Sequence, residues 1–498
     1  MSFPIEESTI AGIHTAMRDG ETNAAALVTN CLARIEAYDR SGPGLNAIVT
    51  VNSEACDHAA RLDADFARTG EFHGPLHGIP VVVKDQIETA GIATAFGSIA
   101  MDGYVPDHDA TVIRRLRAAG AIVLAKTTMP DFATAWFAYS SKSGTTRNPF
   151  HLDRDPGGSS SGTGAAVAAN LAVIGVGEDT GGSIRLPASF NSLVGLKVTP
   201  GLISRHGISP LVAFQDSAGP MCRTVEDTAR LLQVLVGYDP ADPWTATAVI
   251  AGGAHYVAAL DRGALAGRTL GVLRQAFGDA ADPEAAPVNE AMSAALTAMR
   301  AAGANVVDVR IPDLDHYIEL TSLYLTHSRH DIDAFLAKRP VPWQRVRDIH
   351  AAGLYHRALE LFEMVVDGPD EPEAEPDYWQ RYTTRETFQR LLINAMAQAG
   401  ASALIFPTTR IPAPSRSELD AGRWTTFTFP ANTLIAAQSW MPAVSVPAGF
   451  TEAGLPVGME MVGLPYREAD LLALAYAFEQ ATMHRRAPAC APALNTCS

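Results

Sequence analysis

Two clusters of glycine and serine, thirty-odd residues apart and each adjoining an apolar element, constrain this chain more than any other feature. The first is Gly157-Gly158-Ser159-Ser160-Ser161-Gly162, and the second is Asp179-Thr180-Gly181-Gly182-Ser183-Ile184-Arg185-Leu186-Pro187. Glycine reaches φ > 0 at little cost and leaves room for a ligand beside the main chain. Serine supplies a hydroxyl that can attack a carbonyl or pass on a proton. A flexible linker is the competing reading, but the adjoining apolar elements and the varied second cluster argue against it. The third element is Lys84, which ends the run Val81-Val82-Val83. A lysine closing a β-branched run is a candidate for burial, which lowers its pKa from about 10.4. Together these residues predict serine nucleophilic chemistry with a lysine as base in place of a histidine.

At 498 residues, length alone suggests two to four domains. A net charge of −16 excludes a nucleic-acid partner, which would demand a basic surface. The five lysines stand against 33 arginines, a ratio that implies no function by itself. The acidic start Met1-Ser2-Phe3-Pro4-Ile5-Glu6-Glu7 carries no apolar export segment. The longest apolar stretch, 165–177, is too short to span a bilayer and is interrupted by Asn170, so no membrane role is expected. Five cysteines are odd in number and scattered, which is not a disulfide framework. A Cys490–Cys497 pair is possible near the C-terminus, but loose thiols are preferred. A cytoplasmic location follows as the expectation.

Along the chain, the first 70 residues read as helices, capped at Ser8-Thr9, at Thr22 or Asn23, and at Ser53. The turn-rich segment 74–80 leads into a strand at 81–83. A helix at 110–119 and a strand at 121–125 form one α-to-β step, continued at 165–170, 171–176 and 193–198. Further alternations fall at 225–236, 269–274, 287–302 and 304–308. From 316 to 400 the pattern changes to long helices, interrupted by an acidic, proline-rich surface loop at 367–377. Strand-like runs return at 403–406, 443–447 and 457–462, and a helix at 469–481 closes the fold. This is an α/β chain with a mixed sheet covered on both faces. Because the strands resume after the helices, 316–400 is read as an insertion into one domain. That domain comprises N-terminal helices (1–70), a core (71–310) and its continuation (401–485).

Several signatures are absent. There is no Gly-x-Ser-x-Gly elbow, no His-Glu-x-x-His and no Ser-x-x-Lys of the penicillin-binding kind. The segment from Gly120 to Lys126-Thr127 approaches a phosphate-binding loop, but Ala125 replaces the second glycine. His327 and His330, with Asp331 adjacent, read as helix-surface polarity in preference to a metal site.

The run 156–164, the run 179–187, Gly195-Leu196-Lys197 and Val83-Lys84-Asp85 together resemble the amidase signature family of serine hydrolases. The segments 75–80, 124–130, 215–220 and 442–447 extend the resemblance. It covers roughly 5–310 and 400–485, with bacterial peptide amidases and aryl-acylamidase-like members nearest. The block 316–400 matches loosely. The resemblance implies that Ser183 is the nucleophile, Ser159 a bridging serine after a cis Gly158–Ser159 bond, and Lys84 the base. Backbone N–H groups of Thr180, Gly181, Gly182 and Ser183 then face the developing oxyanion. No metal or organic cofactor is implied. Asp179 and Arg185 would brace the turn, with a plain surface ion pair as the alternative. Lys197 is read as structural, and Lys126 and Lys142 have no serine partner.

Met129, Phe132, Trp136, Phe137, Phe214 and Gln215 lie in segments that, by resemblance, approach the acyl pocket; core packing is the competing reading. Their character suits a hydrophobic or aryl amide, and an ester or carbamate presents the same carbonyl. The expected partner is a small-molecule amide, with the chain a monomer or homodimer. Two alternatives stay open: the glutamine-hydrolysing component of an amidotransferase, and a scaffold that has lost catalysis.

Overall fold

The fold is built on one mixed sheet whose strands come from nearly the whole chain. The computed structural model describes residues 3–251, 253 and 255–494. The strands are β1 (Ile48–Val51), β2 (Pro80–Lys84), β3 (Ile122–Thr127), β4 (Tyr139–Ser140), β5 (Gly144–Thr145), β6 (Ile174–Asp179), β7 (Val194–Lys197), β8 (Ser217–Cys222), β9 (Thr269–Leu273), β10 (Asn305–Val309), β11 (Ala401–Pro407), β12 (Ala443–Phe450) and β13 (Pro456–Val462). Eleven of them form the sheet, in the order β1-β3-β2-β6-β8-β7-β12-β13-β11-β9-β10, while β4 and β5 pair separately. The pairs β3/β2/β6 and β11/β9/β10 are parallel, and the central pairs from β6 through β13 are antiparallel. One domain therefore holds a large mixed sheet with helices on both sides.

Strand β11 shows how the two faces are covered, since successive side chains of a strand point to opposite faces. Ala403 and Ile405 join the cluster that contains Met292 and Leu296 of helix Ala286–Ala301. Leu404 and Phe406 join Phe388 and Leu392 of helix Tyr378–Ala399. The helices between β10 and β11 thus cover one face of the far half of the sheet. The acidic segment 367–377 holds a short turn at Pro372–Ala374, and Asp370 pairs with Arg329 at 2.6 Å.

The N-terminal expectation needs a correction. Helices Ile10–Arg18, Ala24–Arg34 and Ala55–Thr69 form, and Thr9 and Asn23 cap the first two. Between them, however, Ile48-Val49-Thr50-Val51 forms β1, antiparallel to β3. Three of its four residues are β-branched aliphatics, which fit a pleated, half-buried surface. The 165–177 stretch also divides differently: helix Ser161–Ala168 is followed by β6 starting at Ile174. Among the described residues, no helix is long and apolar enough to cross a membrane. Cys31, Cys56, Cys222 and Cys490 are free thiols, while the Cys490–Cys497 pairing falls on Cys497, which lies outside the described residues.

Strand β8 has no counterpart among the expected strands, since Ser217-Ala218-Gly219-Pro220 lacks the β-branched and aromatic residues that mark one. It is fully buried, and a Cβ at Gly219 would overlap the Leu196 carbonyl oxygen of β7. Here glycine permits close approach of one backbone to another. Gly219→Ala is expected to destabilise the fold by about 1–3 kcal/mol, the usual cost of overpacking. Thermal or urea unfolding measures it, and an unchanged midpoint would show that β7 and β8 can separate freely.

Candidate active site

Strand β2 delivers Lys84 to the site. Its whole length is buried and Lys84 itself is fully enclosed. Burial pushes the Lys84 amine below its ordinary range, while the Glu178 charge beside it acts in the opposite sense. Lys84 Nζ donates to Ser159 Oγ at 2.8 Å, to the Glu178 carbonyl oxygen at 3.2 Å and to Glu178 Oε2 at 3.2 Å.

Ser159 follows a turn held by Asp155, whose carboxylate accepts the N–H groups of Gly157 at 2.7 Å and Ala138 at 3.0 Å. Gly157 sits at φ +78°, and a Cβ there would stand 2.5 Å from Leu186 Cδ2. The Gly158–Ser159 peptide is cis. The loop carrying Ser183 leaves the end of β6 and enters helix Arg185–Phe190. The two loops meet where Ser160 N–H donates to the Ser183 carbonyl at 3.2 Å. Ser183 is 3% exposed, so its hydroxyl lies at the margin of an otherwise closed site. Among the described residues, no hydrogen bond joins Ser183 Oγ to Ser159 Oγ. Such contacts commonly tighten only when substrate is bound.

Asp179 and Arg185 brace this turn from inside the protein, not as a surface pair. Asp179 accepts from Ile184 N–H at 3.1 Å and from Arg185 Nε and Nη2 at 3.0 Å each. Arg185 also donates to the Thr433 carbonyl at 2.9 Å and to Glu460. Burial alone would raise Asp179; the Arg185 guanidinium overrides it and holds the carboxyl below its ordinary value. Burial pushes Glu460 up to about 7.

Among the described residues, the backbone N–H groups of Thr180, Gly181, Gly182 and Ser183 enter none of the chain's hydrogen bonds. Their carbonyls, by contrast, are held. Gly181 O accepts from Thr433 Oγ1 at 2.6 Å, and Thr180 O accepts from Gln215 Nε2 at 2.6 Å. Gly182 is at φ +140°, with Thr433 packed where a Cβ would be, and a Cβ at Gly181 would lie 2.5 Å from Tyr324 Oη. Glycine is therefore required at both positions. The result is a run of unused donors beside Ser183, suited to a developing negative charge.

Of the residues expected near an acyl pocket, Met129 and Phe214 share an apolar cluster with Leu211, Val212, Tyr324 and Trp440. Gln215 reaches this group through its Nε2, 2.7 Å from Tyr324 Oη. Phe132 and Phe137 belong instead to a neighbouring cluster, against which Trp136 packs. Phe132 stacks there on Phe362, with ring centres 6.1 Å apart. The sequence reading missed Tyr324, Thr433, Glu178 and Asp216. Tyr324 comes from the loosely matching block 316–400, and Thr433 lies ahead of the segment 442–447, where no motif marks it. Glu178 adjoins the second glycine–serine cluster and passes for the end of a strand.

Among the described residues, the other buried lysines make no hydrogen bond to a serine hydroxyl. Lys126, pushed down to about 8 by burial, donates to the Ile87 carbonyl and to Thr94 Oγ1 at 2.9 Å. Lys197, pushed down to about 7 by burial, donates to the carbonyls of Val198 and Met441 at 3.1 Å each. The ligand atoms of His327, His330 and Asp331 do lie within 4.8 Å of one another. Both rings face Asp331, whose carboxylate also accepts from Ala213 N–H at 2.8 Å, so the protein itself engages this acid.

The chain belongs to the amidase family, a family of amide-cleaving enzymes: the Amidase family model matches residues 26–472. It is 34% identical over 484 residues to a glutamyl-tRNA(Gln) amidotransferase subunit from Symbiobacterium thermophilum, covering 94% of this chain and 95% of that one. The native peptide amidase of Stenotrophomonas maltophilia superposes with a TM-score of 0.86 at 36% identity, covering 97% of this chain and 99% of that one. The corresponding glutamyl-tRNA(Gln) amidotransferase subunit from Thermotoga maritima superposes with a TM-score of 0.72 at 26% identity, covering 96% of each.

Thr433→Val removes the bond to Gly181 O while keeping the side-chain shape. It is expected to lower kcat/KM for an amide about tenfold, the worth of roughly one hydrogen bond, and to leave the unfolding midpoint nearly unchanged. Undiminished turnover would show that the loop holds its shape without Thr433.

Proposed function

We propose that this chain is a stand-alone amidase that cleaves the C–N bond of a hydrophobic or aryl carboxylic amide through an acyl-enzyme on Ser183. The observation that carries the reading is the 2.8 Å contact between the enclosed Lys84 amine and Ser159, beside a loop of unused N–H donors. In this reading Ser159 gives its proton to neutral Lys84 and takes the proton of Ser183, whose oxygen attacks the carbonyl carbon. The oxyanion is received by the N–H groups of Thr180, Gly181, Gly182 and Ser183. The tetrahedral adduct breaks its C–N bond, and the proton returns from Lys84 through Ser159 to the leaving nitrogen. Water then attacks the ester by the same route and frees the acid. Met129, Phe214 and Gln215 supply the acyl side, and an ester or carbamate would enter the same cycle.

A second reading, the glutamine-hydrolysing component of an amidotransferase, is favoured by the relatives that carry the amidotransferase name at 34% identity. It requires glutaminase activity and a partner chain. The closer superposition on the peptide amidase, 0.86 against 0.72, supports the stand-alone reading.

A fluorophosphonate probe is expected to label the protein at Ser183, with labelling absent in Ser183→Ala. Ser183→Ala and Lys84→Ala should each lower anilide or peptide-amide turnover at least about 1000-fold with the fold retained. Near-full activity in Lys84→Ala would exclude it as base. A panel containing alkyl amides, anilides, peptide amides, carbamates and glutamine separates the readings, since glutamine as sole substrate would favour the amidotransferase component. The protonated amine is the inactive form, so kcat/KM should rise with pH through the Lys84 titration. Because burial lowers that titration, the rise should fall below the ordinary lysine range. A profile flat down to about pH 5 would point to a different base.

A further inference from the structure

Lys84 touches a carboxyl group as well as a serine. Its Nζ has three acceptors, Ser159 Oγ, the Glu178 carbonyl and Glu178 Oε2, which match the three protons of an ammonium. The second oxygen of Glu178, Oε1, is 3.0 Å from Thr180 Oγ1, and Thr180 Oγ1 is 2.6 Å from Asp216 Oδ1. A hydroxyl has one proton and can donate to only one of these carboxyls. The other contact is a hydrogen bond only if the carboxyl itself carries a proton. Glu178 and Thr180 are fully buried, and Asp216 is nearly so.

The proton belongs on Asp216. Burial raises both carboxyls: Asp216 goes well above the carboxylate range, with the Glu178 charge adding to burial, whereas for Glu178 the adjoining Lys84 ammonium acts against burial and favours the ionised form. The chain of donors then runs from Asp216 Oδ1–H to Thr180 Oγ1, from Thr180 Oγ1–H to Glu178 Oε1, and from Lys84 Nζ–H to Glu178 Oε2. Two carboxyl groups carry one negative charge between them, as expected of acids held this close. One pair of neighbours opposes this distribution: the N–H groups of Leu211 and Val212, at 3.0 and 3.1 Å from Asp216, favour its charged form, and burial with the Glu178 charge outweighs them. Asp179 beside Glu178 is neutralised by Arg185. Ser160 Oγ meets the Glu178 main chain. Asp331 also faces Asp216, across a cavity of about 580 Å³ that Arg205, His206 and Arg339 help to line.

We propose that Glu178 is a positioning residue for the site's amine: its charge, fixed by the proton that Asp216 holds through the Thr180 hydroxyl, sets the pH at which Lys84 becomes a free base. This role rests on the reading of Lys84 as base, but the titration that tests it does not.

With only five lysines in the chain, lysine labelled with ¹³C at Cε gives few resonances, and Lys84→Met assigns the relevant one. In Glu178→Gln the Lys84 resonance is expected to titrate roughly 1–3 pH units lower than in the wild type, the effect of losing an adjacent opposite charge. Glu178→Ser, smaller and uncharged, should move it the same way and serves if the amide does not fold. Asp216→Asn imitates the protonated acid and should leave the resonance within about half a unit of wild type, far less than such a loss. An unmoved or raised titration without the Glu178 charge overturns the proposal. So does an Asp216→Asn shift as large as that of Glu178→Gln, which would place the charge on Asp216. Failure of the probe to label Ser183 would count against the amidase reading alone, because the lysine titration is read independently of activity.

Discussion

Arg185 is enclosed completely, and its guanidinium joins parts of the chain that are far apart in sequence. It binds Asp179 at the end of β6, Glu460 in β13 and the Thr433 carbonyl ahead of β12. Taking such charges out of water is costly, and the two bonds to Asp179, the Thr433 carbonyl and one Glu460 oxygen offset that cost, while Glu460 Oε2 has no hydrogen-bond partner among the described residues. The turn from 179 to 185 therefore has one well-defined shape, and its unused N–H groups point where that shape directs them. Positions 181 and 182 must be glycine because Tyr324 and Thr433 close against them. The loop's readiness to receive charge is thus a property of the assembled sheet more than of the loop itself.

Three lysines are buried in this protein, and their surroundings separate their roles. Lys197 directs its protons to two main-chain carbonyls, while Lys126 meets one carbonyl, the Thr94 hydroxyl and the Asp85 carboxylate. Lys84 is the one among them that meets a serine hydroxyl, and a carboxyl oxygen lies within 3.2 Å of the same amine. Desolvation acts on all three alike. What distinguishes Lys84 is a serine beside the Ser183 loop, able both to give and to accept a proton.

Much of the candidate site is legible in the sequence, because the proposed chemistry restricts residue type at Lys84, Ser159, Ser183 and the glycines between them. The brace formed by Asp179 and Arg185 could be guessed from spacing, though not its burial. The helix-and-strand alternation gave the mixed sheet. Two strands of the large sheet escaped, as did the short pair β4 and β5. β1 is only four residues long, and β8 is written in residues that ordinarily make turns. Phe132 and Met129 are three positions apart in sequence, yet they belong to different apolar clusters. Nothing in the periodicity separates them, because Phe132 takes a left-handed backbone conformation, φ +48°, that redirects the chain. Glu178 was hidden for the opposite reason: its significance lies in Thr180 and Asp216, and only folding brings Asp216 beside it.

Tyr324 reaches Gly181 from the helical stretch between β10 and β11, whereas Lys84 and Ser159 come from the opposite half of the sheet. Tyr324 and Thr433, which close against Gly181 and Gly182, are consequently encoded apart from Lys84, Ser159 and Ser183. Substitutions in the later tract can therefore reshape the packing around that loop while every residue of the loop itself stays the same.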